Sequence, residues 1–154
     1  MSTSSIVHST FVIERTYPAR AARVFAAFSD PATKRRWFAE GEGWQIDDFI
    51  ADFRVGGRET SRFRFKDGPE VANATVYQDI VPDKRIVFVY AMTVAGKRVS
   101  ASLASVELFT SGNGTRLVYI EQGQFFDGAE EPRQRELGCA ELFDKLHEEL
   151  KRTS

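Results

Sequence analysis

The chain has almost none of the residues that metal and redox chemistry require. Cys139 is its one cysteine, and His8 and His147 are its only histidines. A single cysteine excludes an intrachain disulfide, and a reducing cytoplasm is the compartment that fits it. One cysteine and two histidines far apart in sequence do not suggest a zinc site. Neither histidine stands beside a serine–acid or cysteine constellation, so a Ser-His-Asp or Cys-His mechanism is not expected. Asp47, Asp48 and Asp52 cluster in sequence but lack the ligand spacing of a calcium loop. No Gly-x-Gly-x-x-Gly run or phosphate loop makes a case for a nucleotide. No metal and no cofactor are therefore expected. A dominant charge sign is also missing: 21 basic and 22 acidic residues are interspersed to a net charge of -1. That leaves no basic field for nucleic acid and no polybasic block for an anionic membrane. No apolar run approaches the length of a membrane span. The short polar stretch Met1 to Ser5 does not read as a signal peptide.

What is present is a core-forming composition. With 154 residues, 42% of them hydrophobic, the chain reads as one domain over 1–154 with a core of about 9–151. Thirteen Phe against two Met weight that core towards rigid aromatic packing. Residues 9–17 read as a strand that Pro18 ends. Ala21, Val24, Phe25 and Phe28 recur at helical spacing. Asp30 and Pro31 have the chemistry of an N-cap and a first helical residue, opening a short second helix that ends near Trp37 and Phe38.

Six strands follow, punctuated by turns. They are expected at Trp44–Phe53, Arg58–Phe65, Val71–Ile80, Arg85–Thr93, Val99–Phe109 and Thr115–Gln122. The intervening signals are Gly56-Gly57, Asp67-Gly68-Pro69, Pro82-Asp83, Ala95-Gly96 and Gly112-Asn113-Gly114. The last strand is expected to break at Gly123. A long helix is expected over Glu131–Lys151, with Cys139, Phe143, Leu146 and Leu150 on one stripe. Helices segregated from one antiparallel meander make an α+β fold. A single long helix covers only part of a seven-stranded sheet, so the sheet should curl around it and leave a cavity.

The punctuation resembles a known family. The stretches that carry it are Phe11–Tyr17, Val24-Phe25 with Ser29-Asp30-Pro31, and Arg36-Trp37-Phe38. Further matches are Asp52–Arg58, Asp79–Ile86 and Gly114–Leu117. In that order they resemble the helix-grip fold of the START-like (SRPBCC) superfamily, and within it the AHSA family, named for activators of a heat-shock chaperone's ATPase. The Glu121-Gln122-Gly123 run with Phe126-Asp127-Gly128 is similar to a bacterial subgroup. The resemblance implies a curved antiparallel sheet wrapped around the C-terminal helix, with two short helices after the first strand. Many members carry Gly-Trp near the start of the last helix where this chain has Gly138-Cys139, and the smaller side chain should leave more room at the cavity mouth. The family includes co-chaperone domains, relatives of polyketide cyclases and presumed small-ligand binders, so fold does not fix function.

Strand alternation assigns faces. Leu117, Tyr119 and Glu121 share one face, which the resemblance turns towards the helix. Glu59, Ser61, Phe63 and Phe65 share another, with Arg58, Thr60, Arg62 and Arg64 on the solvated side. Ile86, Phe88, Tyr90 and Met92 form a third set. The expected pocket is Phe63, Phe65, Phe88, Tyr90, Tyr119, Cys139, Phe143 and Leu146, with Trp37 and Phe38 near its entrance. Glu121, and secondarily Glu59, are expected to supply a polar contact from opposite walls; the alternative for either is a rim position paired with Arg. Cys139 should be an inert apolar thiol. Arg133, Gln134 and Arg135, at the start of the last helix near the expected mouth, read as a solvated first turn, with attraction of an anionic ligand as the alternative. The leading functional expectation is a binder of a small apolar or amphipathic ligand. A cyclase- or aromatase-type enzyme in the same cavity and a co-chaperone-like interaction module are the alternatives. A homodimer through a sheet edge or helix stays open.

Overall fold

The structure, a computed structural model, describes residues 4–152. Its elements are β1 (Ile6–Tyr17), α1 (Ala21–Ser29), α2 (Pro31–Phe38), β2 (Trp44–Ala51), β3 (Arg58–Phe65), β4 (Val71–Val81), β5 (Arg85–Val94), β6 (Lys97–Ser111), β7 (Gly114–Phe126) and α3 (Pro132–Arg152). The seven strands form one sheet in the order β1-β7-β6-β5-β4-β3-β2, and every neighbouring pair is antiparallel. The expected fold class holds: a curved antiparallel sheet around a long C-terminal helix, with two short helices after the first strand.

Local chemistry explains the punctuation. Asp30 closes α1 and opens α2: its backbone N–H bonds Ala26, and its carboxylate accepts from the Thr33 N–H at 3.3 Å and the Thr33 hydroxyl at 2.5 Å. The Thr33 hydroxyl is the main reason the Asp30 carboxyl titrates below its usual range. Arg35 and Arg36 occupy the last turn of α2, where the helix dipole favours cations. At the β6–β7 hairpin, Gly112 takes a φ of 59°, which suits a glycine at the first central position of a two-residue turn.

Register shifts leave Asp47, Gln78 and Val99 as extra residues and so place bulges in β2, β4 and β6. Bulges bend strands and increase local twist, which curls the sheet. The helix stripe is as expected: Cys139, Phe143, Leu146 and Leu150 are all buried, and the Tyr17 hydroxyl donates to the Phe143 carbonyl at 2.9 Å.

Several strand boundaries differ from the expectation, among them the ends of β7 and β2 and the start of β1. β7 does not break at Gly123 but runs to Phe126, because β1 begins at Ile6 and pairs with it over that whole length. A Cβ at Gly123 would stand 3.1 Å from both the Phe125 ring and Ser102 Oγ, so the glycine makes room within the strand rather than ending it. β2 stops at Ala51, short of Phe53.

Candidate functional site

A cavity of about 330 Å³ lies between α2, α3 and the β3–β5 part of the concave face. Its wall is largely aromatic. From the expected set, Trp37, Phe38, Phe63, Phe88 and Phe143 line it, as do Glu59, Tyr90, Tyr119 and Cys139. Phe28, Trp44, Phe53 and Tyr77 add further rings. The lining residues Gln134, Gly138, Glu141 and Trp44 are exposed, which puts the mouth between α3 and the start of β2.

Three expected members do not line it. Phe65 lies at the end of β3, 45% exposed, and stacks on Trp44 with 5.1 Å between ring centroids. Leu146 is fully buried one turn beyond Phe143, in the packed part of the core. Glu121 is fully buried but sits behind the wall, covered by the residues that bond it. Trp37 is a fixed wall rather than an entrance residue. It is 3% exposed, its indole N–H donates to the Ala27 carbonyl at 2.8 Å, and its ring packs edge-on to Phe28 at 5.0 Å.

The two carboxylates expected to act on one ligand are each held by a private set of partners. Glu59, on β3, takes both oxygens to the Lys34 ammonium at 3.0 Å and accepts from the Tyr77 hydroxyl at 2.9 Å. Lys34 is itself buried, stacked over Phe38 with its nitrogen 4.7 Å from the ring centroid. Glu121, on β7, accepts from the hydroxyls of Tyr119 at 2.5 Å, Tyr90 at 2.7 Å and Ser102 at 3.1 Å, with the Cys139 sulfur at 3.8 Å. Its cation is Arg135, at 3.5 Å.

Arg135 is therefore not in a solvated turn. It is 6% exposed, and its guanidinium donates to Glu130, Ser100 and Tyr90. Burial works against its charge, but the Tyr90, Glu130 and Glu121 oxygens outweigh that and hold its pKa above the ordinary guanidinium value. Burial pushes the Cys139 thiol well up, and the Glu121 charge adds to the shift, so it is a protonated, inert side chain. Lys34, Tyr77, Ser102 and Glu130 were not singled out from sequence, and Arg135 was placed at the mouth but not in the buried cluster. Two of them had a signal: Lys34 shares the α2 face with Trp37, and Arg135 is four residues before Cys139 on the α3 stripe.

Desolvation raises all four tyrosines, Tyr17, Tyr77, Tyr90 and Tyr119, and Glu59 or Glu121 charges reinforce it at the last three. A folded-state phenol pKa above the unfolded value of about 10 leaves stability intact below that pH and removes it as pH rises further. Tyrosinate absorbance should therefore appear in one cooperative step together with unfolding, in an ultraviolet pH titration followed in parallel by circular dichroism. Phenol ionisation near pH 10 in a protein still folded would contradict the burial of these rings.

Among the described residues, no three His, Cys, Asp or Glu side chains come together as a metal-ligand set. No helix among them is long and apolar enough to cross a membrane.

A curved antiparallel sheet gripping one long helix, with an aromatic cavity left between them, defines a helix-grip protein. The chain belongs to the family described as Activator of Hsp90 ATPase homolog 1-like protein, whose profile matches residues 18–153. Its structure is similar to that of the Mll3558 protein from Rhizobium loti, at 53% identity over 95% of this chain and 99% of that one, with a TM-score of 0.88. A protein from Rhizobium leguminosarum is similar at 41% identity over 96% and 97% of the two chains, with a TM-score of 0.92. DynU16, from the dynemicin biosynthetic locus, shares the fold at 18% identity over 97% of this chain and 48% of its own, with a TM-score of 0.67. No functionally curated protein matches the chain by sequence.

Proposed function

We infer that the protein binds one small, largely apolar ligand in the cavity between α2, α3 and the β3–β5 wall, and that it does so in the cytoplasm without a cofactor. The observation that carries this is an aromatic-lined cavity of about 330 Å³ with a mouth at Gln134, Gly138, Glu141 and Trp44. Ligand pockets begin at about 300 Å³ and combine apolar walls with a few placed polar groups. Phe38, Phe63, Phe88 and Phe143 offer ring faces, and Lys34, Glu59, Tyr90, Tyr119 and Arg135 are among the polar lining.

Binding is favoured over catalysis by the state of the polar groups. Both oxygens of Glu59 are held by Lys34, and Glu121 lies behind the wall with hydroxyl donors on both oxygens. The Cys139 thiol is held protonated. A cyclase-type reaction needs a carboxylate or thiolate free to exchange a proton with the ligand. The biosynthetic setting of DynU16 belongs to that protein, and its likeness to this chain is one of fold.

The reading is tested with phenylnaphthylamine, an uncharged dye that fluoresces in apolar surroundings. Titrated into the protein, it should give a saturable signal at one dye per chain and quench the emission of Trp37 on the cavity wall. A signal that never saturates, or that needs partial unfolding to appear, would remove the reading.

A further inference from the structure

The charged cluster at the α3 end of the cavity contains one carboxylate that is held differently from the rest. Glu130 lies in the loop between β7 and α3, lines the cavity, and has a side chain 23% exposed. Its two oxygens form a fork-to-fork pair with Arg135: Nε to Oε2 at 2.8 Å and Nη2 to Oε1 at 2.7 Å. Planar guanidinium and carboxylate forks match in this way whichever molecule supplies the carboxylate.

We propose that Glu130 stands in for the acid group of the ligand, so that the cavity takes an apolar acid whose carboxylate displaces Glu130 from Arg135. The inference rests on the ligand-binding reading above and adds the chemical class of the ligand. Three features support it.

The guanidinium is rigidly placed without Glu130. Its other donors go to Ser100 Oγ at 2.7 Å and the Tyr90 hydroxyl at 3.0 Å, and it packs over the Phe125 and Tyr90 rings at 5.1 and 5.6 Å. Removing Glu130 thus bares the Nε edge of an Arg already aimed at the cavity.

The exchange also conserves charge. Arg135 with Glu121 and Glu130 makes a cluster of net charge -1 (one cation, two carboxylates). A ligand carboxylate replacing Glu130 leaves that sum unchanged, and Glu130 regains water at the mouth. Glu121 stays paired with Arg135 throughout, and the Nε edge of the guanidinium is never left buried without an acceptor, which would be costly.

Inside the solvent-exposed mouth, where Glu141 lies, the wall charges offer an amine nothing. Both Glu130 oxygens are taken by Arg135, both Glu59 oxygens by Lys34, and Glu121 lies behind the wall. A cationic ligand would have to break a pair, taking Glu130 from Arg135 or the one carboxylate from Lys34.

The test uses two matched competitors, naphthaleneacetate and its uncharged isostere naphthaleneacetamide, each displacing phenylnaphthylamine. The acid should compete better than the amide against the unaltered protein. Glu130→Ala should tighten the acid by about tenfold, as removal of a competing charge-assisted pair implies, and leave the amide within about twofold. Glu130→Gln, which keeps an acceptor without the charge, should fall between. Because Glu130→Ala leaves the Nε edge of a buried guanidinium without its acceptor, its melting temperature should drop and be restored by the acid but not by the amide. Equal competition by acid and amide in all three proteins would overturn the inference and leave the ligand-binding reading standing. Equal tightening of both competitors in Glu130→Ala would overturn it too, making Glu130 a steric plug. Failure of phenylnaphthylamine itself to bind would overturn both.

Discussion

Lys34→Met should cost about 3–5 kcal/mol of folding stability at neutral pH, the range for stranding one charge of a buried ion pair. Glu59 is 3% exposed and would keep only the Tyr77 hydroxyl as a donor. The stranded carboxyl would be pushed above its unfolded pKa by desolvation. A raised folded-state pKa means that stability is retained at low pH and lost as pH rises through it. The deficit should therefore shrink as the pH falls towards 5, which urea melts at several pH values would show. Lys34→Met combined with Glu59→Gln should recover most of the loss, because Gln still accepts from Tyr77 and leaves no buried charge. A double variant as unstable as the single one would mean that Lys34 matters through its packing over Phe38 and not through the ion pair.

Phe143→Ala is the other large effect. The Phe143 ring is 5% exposed and lies against two other rings, with centroids 4.9 Å from Tyr119 and 6.4 Å from Trp37. Truncating a buried Phe costs about 3–5 kcal/mol, the higher figures applying where the site cannot collapse. Collapse is opposed here, because Trp37 is pinned by its bond to Ala27 and the Phe143 backbone by Tyr17. Each kcal/mol lowers the melting temperature of a chain of this size by about 2–4 °C. A loss within about 0.5 kcal/mol, typical of surface positions, would mean that α3 presents a different face to the sheet.

The architecture was legible because its signals are local. Alternation at Leu117, Tyr119 and Glu121 and at Glu59 and Ser61 assigned inward faces that the burial pattern of β7 and β3 matches. The α3 stripe was legible through Cys139, Phe143, Leu146 and Leu150. Alternation gives direction, however, and not depth. Phe65 points the same way as Glu59, yet it lies where β3 runs out from under α3 and meets Trp44 instead. Glu121 points inward but is capped by Tyr90, which comes from β5, and Arg135, which comes from α3.

The polar partners were the least legible part, for a physical reason. A buried charge is tolerated only with its counter-charge, and the counter-charges here are distant in sequence. Lys34 pairs with a residue on β3, and Arg135 gathers Ser100 from β6, Tyr90 from β5 and Glu130 from the preceding loop. Beside Arg133 and Gln134, Arg135 looks like one more solvated residue until the sheet is folded beneath it. The length of β7 was hidden in the same way, since pairing with Ile6–Ser9 of β1 on one side and Ser100–Ser102 of β6 on the other carries it past Gly123.

Ligand binding within this cavity is tested most directly by Gly138→Phe. Gly138 lines the mouth, and a Cβ there meets no atom within 4 Å, so a larger side chain can enter the opening without displacing the core. Replacing a helical glycine should also favour the helix, by up to about 1 kcal/mol. In parallel titrations with phenylnaphthylamine, the unaltered protein should saturate at one dye per chain. Gly138→Phe should keep its melting temperature and lose most of that binding. Full binding by a stably folded Gly138→Phe variant would place the dye elsewhere and contradict the account.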